Sequence, residues 1–238
     1  MTAIIKRELH SLLTNITGYI FCGFVLLFAG IFMTVLNLKQ GIANFEYAVG
    51  NMGFIFLIGV PLLTMRTISE ERKQRTDTLL YSLPISMTKI VIGKYIALLI
   101  LMLMPVVLIA IYPLILKFFG NVYLPASYGT LLGFFFLGAA LMSIGVFISS
   151  VTDSQAVAAI LCLIVLLINY YLPSLASFVS RTAFGGALPT FMEKISLFQR
   201  FYDFPNGVLD ISSLVFFAVV AAVFLYFTVQ SMEKRRWS

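Results

Sequence analysis

Of the 238 residues, 61% are hydrophobic and 11% charged, with a mean hydropathy of +1.01. This composition excludes a soluble globular domain and points to an integral membrane protein. The length admits several membrane-crossing helices with short connections and leaves no room for a separate soluble domain of ordinary size. The net charge of +6 rests on 16 basic residues lying mostly between apolar runs, so their placement bears on orientation.

In chain order, Met1 to Thr17 places Ile4, Ile5, Leu9, Leu12, Leu13 and Ile16 at helical spacing, with Lys6, Arg7, Glu8, His10 and Ser11 on the other face. This predicts a helix lying in the membrane interface. A cleaved signal peptide fits less well, because the apolar run that follows is long and no small-residue cleavage site ends it. Apolar runs then cover 18–38, 49–65, 90–116, 128–149, 156–172 and 213–229, each near the ~20 residues a bilayer core requires. The predicted fold is all-α, a polytopic membrane protein with six transmembrane helices. Pro105 and Pro113 are expected to kink the third span, where freed carbonyls must find other partners. The fourth span carries Gly129-x-x-x-Gly133 and Gly145-x-x-x-Ser149, a small-residue stripe that allows close helix packing. Asp153 or Ser154, in the turn between spans four and five, is placed to cap the fifth helix. Cys22 and Cys162 lie inside apolar runs and read as small hydrophobes.

The stretch from Arg66 to Lys94 is the only long polar segment between long apolar ones. It holds Arg66, Arg72, Lys73, Arg75, Lys89 and Lys94 with Glu70, Glu71 and Asp77, and is expected to sit in water against the membrane surface. Thr67-x-x-Glu70 reads as a capping box, Thr76 followed by Asp77 as a second helix start, and Pro84 as a stop. Leu79, Leu80 and Leu83 fall three and four apart, giving the second of two short helices a small apolar face. Six spans put both termini on one side. With them lie eleven basic residues (Lys6, Arg7, those of this segment, Lys234, Arg235 and Arg236), against Lys39, Lys117, Arg181, Lys194 and Arg200 opposite. The positive-inside rule therefore makes both termini and the polar segment cytoplasmic.

From 173 to 212 the external segment is too polar to span and too apolar to be a free loop. Ala176, Phe178, Val179 and Phe184, then Phe191, Ile195, Phe198, Phe201 and Tyr202, predict two short amphipathic helices separated by Gly185-Gly186 and Pro189. Asn169, Tyr170 and Tyr171 near the outer end of span five read first as an aromatic belt, with a gate on an exit path as the alternative. No ionisable residue falls in the middle of an apolar run, which argues against an ion-coupled carrier. One juxtamembrane His10 supplies no metal site. Gly93-Lys94 lacks the earlier glycine of a phosphate-binding loop and is followed by Tyr95, so the chain has no ATPase motif of its own. No bound cofactor and no nucleic-acid partner is expected.

Taken together, Ser69-Glu70-Glu71-Arg72-Lys73 through Thr76-Asp77-Thr78-Leu79-Leu80 to Leu83-Pro84-Ile85-Ser86, on this layout of spans, resembles the coupling-helix segment of the permease subunits of type-2 ABC transporters. The tail, from Arg200-Phe201 through Phe204 and Gly207-Val208-Leu209-Asp210 to Met232-Glu233-Lys234-Arg235-Arg236-Trp237, is most similar to the gliding-motility and nitrous-oxide-reductase-maturation subgroup. The chain departs from the pattern at Arg75, where many relatives have glycine. The resemblance covers nearly all of the chain and implies one transmembrane domain over 1–238, with residues 66–89 as a cytoplasmic coupling segment and 173–212 as an external helical hairpin. It implies a permease that couples hydrolysis on a separate ATPase to movement of a substrate, in the exporting branch, with ATP and Mg on the partner. Leu79, Leu80 and Leu83 would anchor the segment in a cleft of the ATPase, with Thr76 opening the helix and Glu70, Glu71, Arg72 and Asp77 setting charge and register. Two ATPase copies, a second permease (a copy or close paralogue), an external or auxiliary membrane subunit and the bilayer are the implied partners. A non-transporting anchor or assembly subunit, and a channel or carrier working without ATP, are the alternatives.

Overall fold

A computed structural model describes residues 2–41, 44–73, 86–180 and 187–236, and among these there is no β-strand. Six helical stretches are long and apolar enough to cross a membrane: Ile16–Leu38, Phe45–Arg72, Met87–Leu116, Leu124–Val151, Gln155–Phe178 and Ile211–Arg235. The most apolar windows of the second and fourth are 67% and 72% buried, against 17% for the fifth and sixth. Spans two and four are therefore the centre, and the outer faces of the others are left for lipid or other chains.

Helix α1 (Thr2–Thr14) lies against the start of span three. Gly93 makes room there, since a Cβ at that position would stand 2.9 Å from Ile4. Span one is α2 (Ile16–Phe32), continued by a π-helical turn over Met33–Leu38. Span two is built from α3 (Phe45–Asn51), a 3₁₀ turn (Met52–Phe54) and α4 (Ile55–Thr64), and leads into the short α5 (Ser69–Lys73). Span three is α6 (Met87–Ile109) and α7 (Tyr112–Leu116), broken just before Pro113 as expected. Spans four and five are α8 (Leu124–Val151) and α9 (Gln155–Ser180). The segment expected on the outer side continues with α10 (Ala187–Ile195) and α11 (Leu197–Phe201), and span six is α12 (Ile211–Arg236), which runs beside α8.

The prolines act through the carbonyl four residues earlier, which loses its amide donor. Pro105 stays inside α6, and the Leu101 carbonyl it frees receives the Cys22 thiol at 3.8 Å. Cys22 is thus a weak donor between spans one and three as well as a small hydrophobe. Pro173 likewise stays inside α9, and the Asn169 carbonyl accepts instead from Ser196 Oγ at 3.2 Å. This corrects the expectation of a first external helix around Ala176 and Phe178. With its one lost hydrogen bond replaced from the side, span five passes through Pro173, and these residues form its outer end.

The second half of the outer segment is core rather than surface. Leu197, Phe198, Phe201 and Phe204 are all buried, and Thr130 Oγ1 on α8 donates to the Phe204 carbonyl at 3.1 Å. A 3₁₀ turn over Phe204–Asn206 ends at Gly207, whose φ of 82° is left-handed and strains any residue with a Cβ. Asp210 then opens α12, accepting from the Ser212 and Ser213 amides at 3.0 and 3.1 Å.

Candidate functional site

At the end of the bundle that carries both chain termini, α5 is held from three directions. Its amides at Ile68 and Ser69 donate to Ser149 Oγ on α8 at 3.2 and 3.1 Å. A helix start needs such acceptors because its first amides have no intrahelical partner. The capping box expected at Thr67 and Glu70 is not what caps α5. Among the described residues the Thr67 hydroxyl has no hydrogen-bond partner, and the cap comes from a serine about eighty positions away. One turn earlier on α8, Gly145 admits Thr64, which a Cβ would strike. The stripe Gly145-x-x-x-Ser149 thus seats the end of span two and caps the segment that follows it.

Adjacent residues of α5 then reach opposite ways. Glu71 accepts from Lys94 Nζ at 2.7 Å, and Lys94 also donates to the Thr67 carbonyl at 3.0 Å and pairs with Glu8 of α1 at 3.3 Å. Two of the three ammonium protons are thus used in hydrogen bonds, and the charge is balanced by two carboxylates. Arg7 closes the cluster, 2.7 Å from Glu8 and 3.5 Å from Glu71; the Glu8 hydrogen bond is the main influence raising its already high pKa. Arg72 turns the other way, donating to the Thr152 carbonyl at 3.2 Å and to Asp153 at 3.5 Å. Asp153 also receives Arg235 from the end of α12 at 2.6 Å, and Arg235 donates to the Val151 carbonyl at 2.8 Å. The Arg235 hydrogen bond, with Arg72 nearby, holds the Asp153 carboxyl below the usual carboxylate range. Asp153 is thus the hub of an ion-pair cluster rather than a cap of α9.

The Arg66–Lys94 stretch therefore does not lie wholly in water. Lys94 is 2% exposed, Arg72 9%, and Ile68 and Ser69 are buried. The apolar run starts at Ile90 and Lys94 lies one helical turn inside it; burial there is tolerated because the ammonium is paired with two carboxylates and hydrogen-bonded to Glu71 and the Thr67 carbonyl. Thr76, Asp77, Leu79, Leu80 and Leu83, with Pro84, lie outside the described residues, while Glu70 lines the surface between α1 and span three.

At the opposite end, Asn169 Oδ1 accepts from the Leu197 amide at 3.1 Å. With its carbonyl on Ser196, Asn169 grips the start of α11 by both its backbone and its side chain. Tyr170 packs edge-on against the buried Phe198, ring centroids 5.1 Å apart, and Tyr171 is exposed. Gly129 and Gly133 face the outer segment: added Cβ atoms would come within 2.6 Å of Leu209 and 2.8 Å of Phe204. Glu46, unremarked in the sequence because it precedes the apolar run of span two, is buried in α3 and accepts from Ser127 Oγ on α8 at 2.6 Å. No spacing links Glu46 to Ser127, or Lys94 to Glu8. The signal available was a charged residue within a turn of an apolar run. Among the described residues no group of three or more His, Cys, Asp or Glu is gathered as for a metal ion.

Six apolar helices, four of them around a buried central pair, joined at one end by charged clusters, define a multi-pass membrane protein. The model of the ABC-2 family transporter protein matches residues 32–229, and the chain belongs to that family of membrane permeases. No curated protein matches it significantly.

Proposed function

We propose that the chain is the permease half of an ATP-driven ABC-2 exporter, closest to the gliding-motility and nitrous-oxide-reductase-maturation permeases. It works with two copies of a separate ATP-binding subunit, which hold ATP and Mg, and with a second permease. The observation that carries this reading is the attachment of α5. Family membership implies an ATPase partner, and a force from that partner must enter through a polar connection between spans. Glu71 and Arg72 tie the start of that connection to span three and α1 on one side and to the span-four turn and α12 on the other. A segment fixed at adjacent residues to both halves of the bundle moves them as levers rather than flexing alone. In this reading ATP closes the ATPase dimer, residues 66–89 are carried with it, and the permease halves rock between inward and outward openings.

Thr76 and Asp77 start the docking helix, and Leu79, Leu80 and Leu83 are its apolar anchor. Glu70, Glu71 and Arg72 set its register, and both termini face the cytoplasm. Replacing Leu79 or Leu83 by Asp puts an unpaired carboxylate into an apolar contact, at a cost on the order of several kcal/mol. Lys73→Ala is expected to leave binding and coupling intact, a loss on the scale of a surface ion pair being about 0–1 kcal/mol. The test is pull-down of the ATPase and substrate-stimulated nucleotide turnover for the three variants in one detergent. Loss of binding or of coupling in the Leu variants with normal insertion is expected, and normal coupled turnover with Leu83→Asp rejects the assignment.

A further inference from the structure

Between α1, the end of span two and the start of span three lies a cavity of about 390 Å³. It has room for many waters and is in the size range of small-molecule sites. Among the described residues, two buried polar atoms of its lining have no hydrogen-bond partner: Arg66 Nε and the Thr67 hydroxyl. The rest of its charge is engaged. Lys94 and Arg7 hold Glu8 and Glu71, and Glu70 has an interaction of its own. Among the described residues Arg66 forms no ion pair, and it lies one residue from a hydroxyl that has no hydrogen-bond partner there. The lining also includes three apolar side chains, Leu12, Leu63 and Leu98. The cavity lies where the amphipathic α1 meets the spans, which is where lipid head groups sit against a membrane protein.

We infer that this cavity binds the phosphate of a phospholipid head group. One phosphate oxygen accepts from Arg66 Nε and another from Thr67 Oγ1, while the glycerol and upper acyl carbons lie against Leu12, Leu63 and Leu98. A phosphate offers several acceptor oxygens to a guanidinium and a hydroxyl together, which a single water cannot do. The three leucines favour an amphiphile over a free anion. The site needs only a bilayer, so it stands whether or not the chain works with an ATPase.

The test is native mass spectrometry of the full-length protein in detergent, titrated with phosphatidylglycerol, with diacylglycerol and with inorganic phosphate. We expect phosphatidylglycerol to be retained and diacylglycerol not. Arg66→Gln is expected to weaken retention about tenfold and Thr67→Val about threefold, the scale of one charge-assisted and one neutral hydrogen bond. Lys89→Gln, at an exposed lysine on the same end of α6, should leave retention unchanged. Should Arg66→Gln not fold, Arg66→Lys takes its place, with weaker retention again expected because Lys lacks the fork. Equal retention by the wild type and the Arg66 and Thr67 variants overturns the site. Equal binding of diacylglycerol, or displacement of the lipid by inorganic phosphate at matched concentration, overturns its assignment to a lipid phosphate.

Discussion

Lys94 shows at the scale of one side chain how this protein tolerates charge near the bilayer. At 2% exposure the ammonium survives because it donates to Glu71 and to the Thr67 carbonyl and forms an ion pair with Glu8. Removing one partner from such a cluster costs more than the pair itself contributes, because the other charges are stranded. Lys94→Met is therefore expected to destabilise the protein by about 3–5 kcal/mol, and Lys94→Met with Glu71→Gln to recover part of that loss. Thermal unfolding of the variants in one detergent measures both, and equal stability of Lys94→Met and wild type would show the cluster to be ornamental. Asp153 makes the pH-dependent contact. Its carboxyl is held below its ordinary value, so its stabilising effect is full above the unfolded pKa, about 4, and is lost as pH falls through the lowered folded value. Its side chain is 76% exposed, which limits the effect to at most about 1 kcal/mol. Wild type should exceed Asp153→Asn in thermal midpoint at neutral pH and match it in strong acid; a constant gap across that range would count against an ionised Asp153.

At the scale of elements, the outer segment is fastened to span four by shape and to span five by hydrogen bonds. Phe204 fills the place of a side chain at Gly133, and Leu209 does so at Gly129. Asn169 uses the carbonyl that Pro173 frees together with its own amide to hold α11. Gly133→Ala should therefore cost about 1–3 kcal/mol by overpacking, and Phe204→Leu in the same chain should recover part of it. Thermal unfolding of the single and double variants decides, and additive losses would mean the two residues do not meet. Arg200 is held between the Lys194 carbonyl, at 3.0 Å, and the ring of Phe216, at 4.1 Å. Trypsin added to the outer face of the folded protein should accordingly spare Arg200, and rapid cutting there would show α11 to be detached.

For the whole molecule, an even number of spans and the ion pairs at Arg7 and Arg235 place both termini at the end that carries α5. The excess of basic residues at that end predicts that it faces the cytoplasm. Cysteines introduced at Arg181 and Lys194 should be labelled on intact cells, and a cysteine at Arg72 should not. Labelling at position 72 without permeabilisation would reverse the orientation and remove the ATPase from reach of residues 66–89.

The spans, their order and the proline break in span three were legible in the sequence. Hydropathy is a property of a local window, and a missing amide at Pro113 acts within one turn. The membrane class was legible for the same reason. Which partners the polar groups meet was not. Ser149 was read as a packing residue, yet it caps α5; Asp153 was read as a cap, yet it joins Arg72 to Arg235; Glu46 was not singled out at all. These pairs lie about eighty residues apart, and no period or spacing encodes them. They are decided when spans two and four pack as the buried centre, because only then do the ends of span four, the inter-span turn and the last helix come within hydrogen-bond reach of α5.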